Sequence, residues 1–182
     1  MHGRAALGRT AEPPLVVTLL LDDASQERFE RERAELFPPG RTAVGAHLTL
    51  FHALPGHLLE DVLRQVAGVA GRPRFPVRVV EVIDLGRGAA YRLRSGELDA
   101  LRRTLAEEWW EHLTPQDRQP LRAHVTVQNK APREVVLATL ASLRSSFSPF
   151  TATATGIAVW RYEGGPWSPV GRFPFRDLRG PG

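Results

Sequence analysis

The chain has 182 residues, enough for a real core in one domain or two small fused lobes, and its shares of 42% apolar and 24% charged residues are ordinary for a globular protein. It has no cysteine, which excludes disulfides and thiolate metal centres, and no apolar run near the roughly 18 residues that cross a bilayer. The net charge of +4 rests on 23 arginines against one lysine, Lys130, a bias of genome composition that permits a phosphate-bearing substrate without demanding one.

In chain order, residues 1–13 lack the apolar core of a signal peptide and read as a flexible leader, which points to a cytoplasmic protein. "LVVTLLL" at 15–21 is apolar and β-branched, a buried strand. The charged stretch from Asp23 to Phe37, stopped by "PPG", predicts a surface helix with an Asp or Ser cap. A strand over 45–54 carries "HLTL". Leu59, Val62, Leu63 and Val66 then recur at helical spacing as far as Gly71. "RFPVRVVEVIDL" and "AAYRLR" pair across "GRG" as a hairpin.

The pattern then restarts. A helix after Ser95 carries Leu98, Leu101, Leu105 and Trp109 on one face, and "TPQDRQP" is a loop. A second strand, within 121–130, carries "HVTV". Pro132 opens a helix whose expected buried stripe is Val136, Leu137, Leu140 and Leu143. Two last strands, about 150–162 and 167–175, turn at "EGGP", and 177–182 form a flexible tail. The expected fold is α+β, a duplicated unit over 14–176 forming a single bilobal domain, with antiparallel sheets and helices outside.

The repeated His–apolar–Thr–apolar pattern has a direct physical meaning. Alternate residues of a strand share a face, so His47 and Thr49 project together, as do His124 and Thr126. Extending the second face gives Arg122, His124, Thr126, Gln128 and Lys130, a polar and cationic row suited to a phosphate whose oxygens gain charge. Two histidines flanking phosphorus can divide the protons, one taking a proton from the attacking oxygen and the other protonating the leaving one. By the same alternation Phe51 joins the presented face, where it either stacks on a base or packs the sheet edge, while Tyr91, Trp160 and Tyr162 lie on strands where an aromatic either borders a cleft or, more commonly, joins the core. The zinc alternative, His47 with His52 and His57, fails because His52 should point to the opposite face and His57 lies beyond a Pro-Gly turn. No metal and no cofactor are expected.

The paired motifs, their flanks "AHLTLFHALPG" and "AHVTVQNKAP", and the element order resemble the two-histidine (2H) phosphoesterase superfamily, in its 2′-5′ RNA ligase-like, RNA 2′,3′-cyclic phosphodiesterase branch. The resemblance covers about 15–175. It implies two α+β lobes around a central cleft, His47 and His124 as the catalytic pair, and Thr49 and Thr126 on the phosphate. Lys130 is added as a phosphate ligand, with Arg122, Phe51, Gln128 and Tyr162 as weaker substrate contacts. The expected activity is hydrolysis of a 2′,3′-cyclic phosphate on an RNA end or a cyclic nucleotide, by a monomer with no membrane partner. The rival readings are 2′-5′ RNA ligation and a non-catalytic RNA- or nucleotide-binding module.

Overall fold

Helices begin where a side chain can satisfy their free N–H groups. In the computed structural model, which describes residues 11–38, 40 and 44–177, the first helix α1 (Asp23–Leu36) starts at Asp22, whose carboxylate accepts from the Ser25 N–H at 3.0 Å. The other Asp22 oxygen accepts from the Thr153 N–H at 2.7 Å, so the same residue caps the helix and ties it to a distant strand. Ser95 caps α3 (Gly96–Glu108) by accepting from the Leu98 N–H, and Pro132 precedes α4 (Arg133–Ser146). Between α1 and α3 lies α2 (Leu59–Ala70), whose apolar face buries Val62, Val66 and Ala70. Most of the leader, with His2, and residues 178–182 of the tail lie outside the described residues. Among the described residues no helix is long and apolar enough to cross a membrane.

The strands are β1 (Leu15–Leu21), β2 (Leu48–Leu54), β3 (Phe75–Asp84), β4 (Ala89–Arg94), β5 (His124–Gln128), β6 (Phe150–Tyr162) and β7 (Trp167–Pro174). All pair antiparallel in one seven-stranded sheet of order β2-β1-β6-β3-β4-β5, with β7 on β6. The order is symmetric about the β6–β3 pair. Each half of the chain contributes a hairpin-like pair, β1–β2 or β4–β5, and sends its last strand to the other half. The antiparallel strands of both halves thus join in one continuous sheet. The thirteen-residue β6 is long enough to pair with β1, β3 and β7 together.

Helices α1 and α4 pack on the β3–β4–β5 end, and α2 packs on β6 and β7. The core runs through both halves, from Leu15, Val17 and Phe29 to Leu101, Val125 and Ile157, all at most 1% exposed. In α4 the buried stripe is Val136, Thr139 and Leu140 with Leu143 partly buried, whereas Leu137 is 51% exposed. Leu137 is one residue, about 100° of helix, away from Val136, so the two cannot share one narrow stripe. Tyr91 is core, packed between Phe29 and Phe147.

Candidate active site

The sheet curls until its two ends, β2 and β5, face each other. Those two edge strands carry the His–x–Thr motifs. Nδ1 of His47 donates to the Gly45 carbonyl at 2.7 Å, and Nδ1 of His124 donates to the Arg122 carbonyl at the same distance. A carbonyl can only accept, so each bond fixes the proton on Nδ1 and leaves Nε2 for the cleft. Both rings are thus held by the backbone two residues upstream, in the same way on both strands.

Thr49 and Thr126 share the faces of their histidines, as strand alternation requires. Alternation then stops, at the same point in both motifs. The pairing of β1 with β2 skips a residue between Phe51 and Thr49, and that of β4 with β5 skips one between Gln128 and Thr126. Each is a bulge, which turns two successive side chains to one side. Leu50 and Phe51 are both buried, and so are Val127 and Gln128. Phe51 therefore cannot stack on a substrate base: its ring lies under the Arg102 guanidinium at 3.8 Å and against the edge of Trp109. Gln128 is likewise removed from the phosphate row, its Nε2 donating to Thr139 Oγ1 on α4 at 2.8 Å. The bulge in β5 needs a close approach of β4, and Gly88 permits it, since a Cβ there would collide with the Gln128 carbonyl.

The bulge in β2 returns His52 to the cleft side, contrary to simple alternation. Its Nδ1 donates to Asp117 Oδ1 at 2.9 Å, and the same carboxylate accepts the His52 and Ala53 backbone N–H groups. Asp117 is 2% exposed. Burial would raise its carboxyl pKa, but the bonds from His52 and Ala53 outweigh this and hold it below the ordinary value. Two arginines are buried against the motif strands in a matching way. Arg33 of α1 donates to the Thr126 and Val44 carbonyls at 2.6 and 2.9 Å, and Arg102 of α3 to the Leu50 and Asp117 carbonyls at 2.7 and 2.5 Å. They satisfy backbone acceptors at the sheet's two open edges and place fixed positive charge beside each histidine strand.

Two of the cavities that adjoin the histidines combine residues of both motifs. One of about 440 Å³ is lined by Thr49, His52, Arg102, Asp117, Arg122 and His124. The other, about 350 Å³, is lined by Arg33, His47, Thr126, Asn129, Lys130 and Trp167. Each takes its threonine from one motif and its histidine from the other. Trp167 of β7 walls His47, with ring centroids 4.6 Å apart, and the neighbouring Trp160 donates its ring N–H to Thr18 Oγ1. Burial pushes the His47 pKa below the ordinary imidazole value. The Gly45 carbonyl opposes this shift, and charge on Arg33 and His124 adds to it.

Arg122 and Lys130 thus line the cleft from opposite sides. Tyr162 does not: paired with Trp167 at the turn of the β6–β7 hairpin, it is 45% exposed and lines neither cavity. Sequence reasoning missed Arg33, His52, Arg102, Asp117 and Trp167. Four of these depend on bulges or long-range packing. Trp167 had a usable signal, as a large aromatic just after a Gly-Gly-Pro turn. His57 stands beside His112, and among the described residues no three His, Asp or Glu side chains converge.

Lys130 has a left-handed backbone, φ 57°, which strains a non-glycine residue by about 1 kcal/mol. Replacing it with glycine releases that strain, while the freer unfolded chain costs about 0.4–1 kcal/mol, so the two nearly cancel. Lys130→Gly is expected to leave the urea midpoint unchanged; if the ammonium binds a substrate phosphate in the cavity it lines, the change should also lower kcat/KM roughly ten- to hundredfold. An unchanged kcat/KM would make Lys130 a solvated strand end.

Two imidazoles are held alike on facing edge strands, with interleaved threonines and arginine behind each, the arrangement a two-histidine phosphoesterase cleft requires. The sequence profile of the 2′-5′ RNA ligase superfamily matches residues 21–166, and the chain belongs to that family of phosphoesterases. The fold is shared with solved structures. TT0787 of Thermus thermophilus superposes with a TM-score of 0.65 at 18% identity, over 91% of this chain and 100% of that one. LigT of E. coli in its apo form gives 0.62 at 18% identity, over 91% and 99%. LigT complexed with 3′-AMP gives 0.62 at 20%, over 90% and 98%. No curated protein sequence matches the chain.

Proposed function

We propose that the protein hydrolyses a 2′,3′-cyclic phosphate on an RNA end or a nucleotide, with His47 and His124 as its acid–base pair. The observation that carries this reading is the interleaving of the motifs: the two cavities that combine them each have one motif's histidine and the other's threonine. A phosphorus placed between the strands then has an Nε2 and a hydroxyl on either side. Water attacks phosphorus and gives a proton to the neutral imidazole. The bond from phosphorus to one ribose oxygen breaks, and the protonated imidazole supplies that oxygen's proton. The product is a ribose phosphomonoester, and the two rings have exchanged protonation states. The threonine hydroxyls and Lys130 donate to the phosphoryl oxygens as their charge grows. LigT, which shares the fold, has been solved with 3′-AMP and with phosphate. A nucleoside monophosphate is the product class of the proposed reaction.

The test is a turnover panel: RNA ending in a 2′,3′-cyclic phosphate, cyclic mononucleotides, 2′-5′ oligomers, and cyclic-phosphate RNA mixed with 5′-hydroxyl RNA. Ring opening to a monoester is the expected result. Cleavage of 2′-5′ linkages with cyclic phosphates untouched, or joined RNA as the only product, would replace hydrolysis of the ring as the activity. No turnover of any member would leave a binding module.

A further inference from the structure

The cavity holding His124 and Thr49 does not end at Arg102. A second cavity, about 390 Å³, lies across the segment Gln119–Leu121 and shares Arg102, Gln119, Pro120 and Leu121 with the first. Its floor is the outer face of α3 and the turn after it, where the Trp110 ring stands 48% exposed. The neighbouring Trp109 is 3% exposed, so the core claims one tryptophan of the pair and leaves the other outside. The Arg118 guanidinium sits over the Trp110 ring at 5.4 Å, and Arg103 borders the same cavity. One carboxylate, Asp99, faces these cations.

We propose that this second cavity is a nucleotide subsite, which takes the residue preceding the reacting end of a single-stranded RNA. The inference rests on the reading of the histidine cleft as the place where the terminal phosphate reacts. Three features support it. Each cavity is of the size that holds one small ligand, and the two share a wall, so consecutive nucleotides of one strand span them. An exposed indole flanked by arginines matches the chemistry of single-stranded binding, in which a base stacks on the ring and cations follow the backbone. Cations outnumber the one carboxylate, so the charge complements a phosphodiester. Trp110 and Arg118 lie outside the proton-transfer machinery, and the subsite governs binding of longer substrates only.

The experiment compares kcat/KM for a cyclic mononucleotide and for di- and trinucleotides ending in a 2′,3′-cyclic phosphate, with the wild-type protein, Trp110→Ala and Arg118→Ala. The wild type is expected to gain roughly five- to hundredfold from mono- to dinucleotide, the worth of one base–aromatic stack. Trp110→Ala is expected to lose that gain and keep the mononucleotide rate. Equal rates at all lengths in the wild type, with the mononucleotide hydrolysed, would overturn the subsite and leave the hydrolase standing. If no cyclic phosphate is turned over, binding decides, through the anisotropy of a labelled single-stranded RNA with a 3′-phosphate. Trp110→Ala should then weaken Kd by the same factor, and Arg118→Ala should flatten the plot of log affinity against log salt by about 0.7. An unchanged Kd and slope in both variants would overturn the proposal.

Discussion

Replacing His47 or His124 by alanine is expected to lower kcat for cyclic-phosphate hydrolysis by roughly 10²–10⁴, the contribution of a positioned general acid or base. The two losses should be similar because the two rings are held alike, each by Nδ1–H on a carbonyl two residues upstream. The double variant should lose far less than the product of the two factors, because a proton taken without one being delivered completes no reaction. Both rings line open cavities, so neither change should alter the unfolding free energy by more than about 0.5 kcal/mol. A single variant with near-wild-type turnover, properly folded, would remove that histidine from the mechanism.

Asp117→Ala is expected to give the largest loss of stability among cleft variants, about 2–3 kcal/mol, by leaving the His52 and Ala53 N–H groups without their acceptor. The bulge those groups belong to also sets the direction of Phe51 and His52, so kcat/KM should fall with stability. Asp117→Asn keeps one acceptor oxygen and should cost less. The pH dependence has a definite sign. The folded carboxyl has a lowered pKa, so its contribution is fully present above the unfolded value of about 3.9 and is lost as pH falls through the folded one. Urea unfolding should therefore show the full gap between wild type and Asp117→Ala above about pH 5, closing below about pH 4. A gap that persists unchanged at about pH 3 would show that the carboxylate's charge is not what matters.

The sequence made the histidines and threonines legible because strand alternation holds from residue 47 to 49 and from 124 to 126. It failed two residues later, at Phe51 and Gln128, because a bulge is a property of a pair of strands. Nothing within "HLTLFH" reveals that β1 will skip a residue against it. The same event reversed His52 and hid its partner, since Asp117 sits in a loop read only as "TPQDRQP". Arg33 and Arg102 were invisible for another reason. Among 23 arginines, composition cannot mark the two that α1 and α3 bury against the edge strands. The helices, their caps and the internal duplication were readable from local pattern. The exchange of β3 and β6 between halves was not, because strand order is decided by long-range pairing.

The pH profile of kcat/KM for a cyclic-phosphate substrate, measured with chemistry rate-limiting, tests the shared-proton mechanism most directly. One ring must start neutral and the other protonated, so the profile should be bell-shaped, with apparent pKa values that belong to the pair. Burial, with the charge of Arg33 and His124, favours neutral His47, so the acid limb should fall below the ordinary imidazole value of about 6.5. A profile with both limbs, and with one limb lost in each single-histidine variant, is the predicted result. Activity that stays flat towards low pH, or a full bell retained in the His47→Ala or His124→Ala protein, would contradict the two-histidine mechanism.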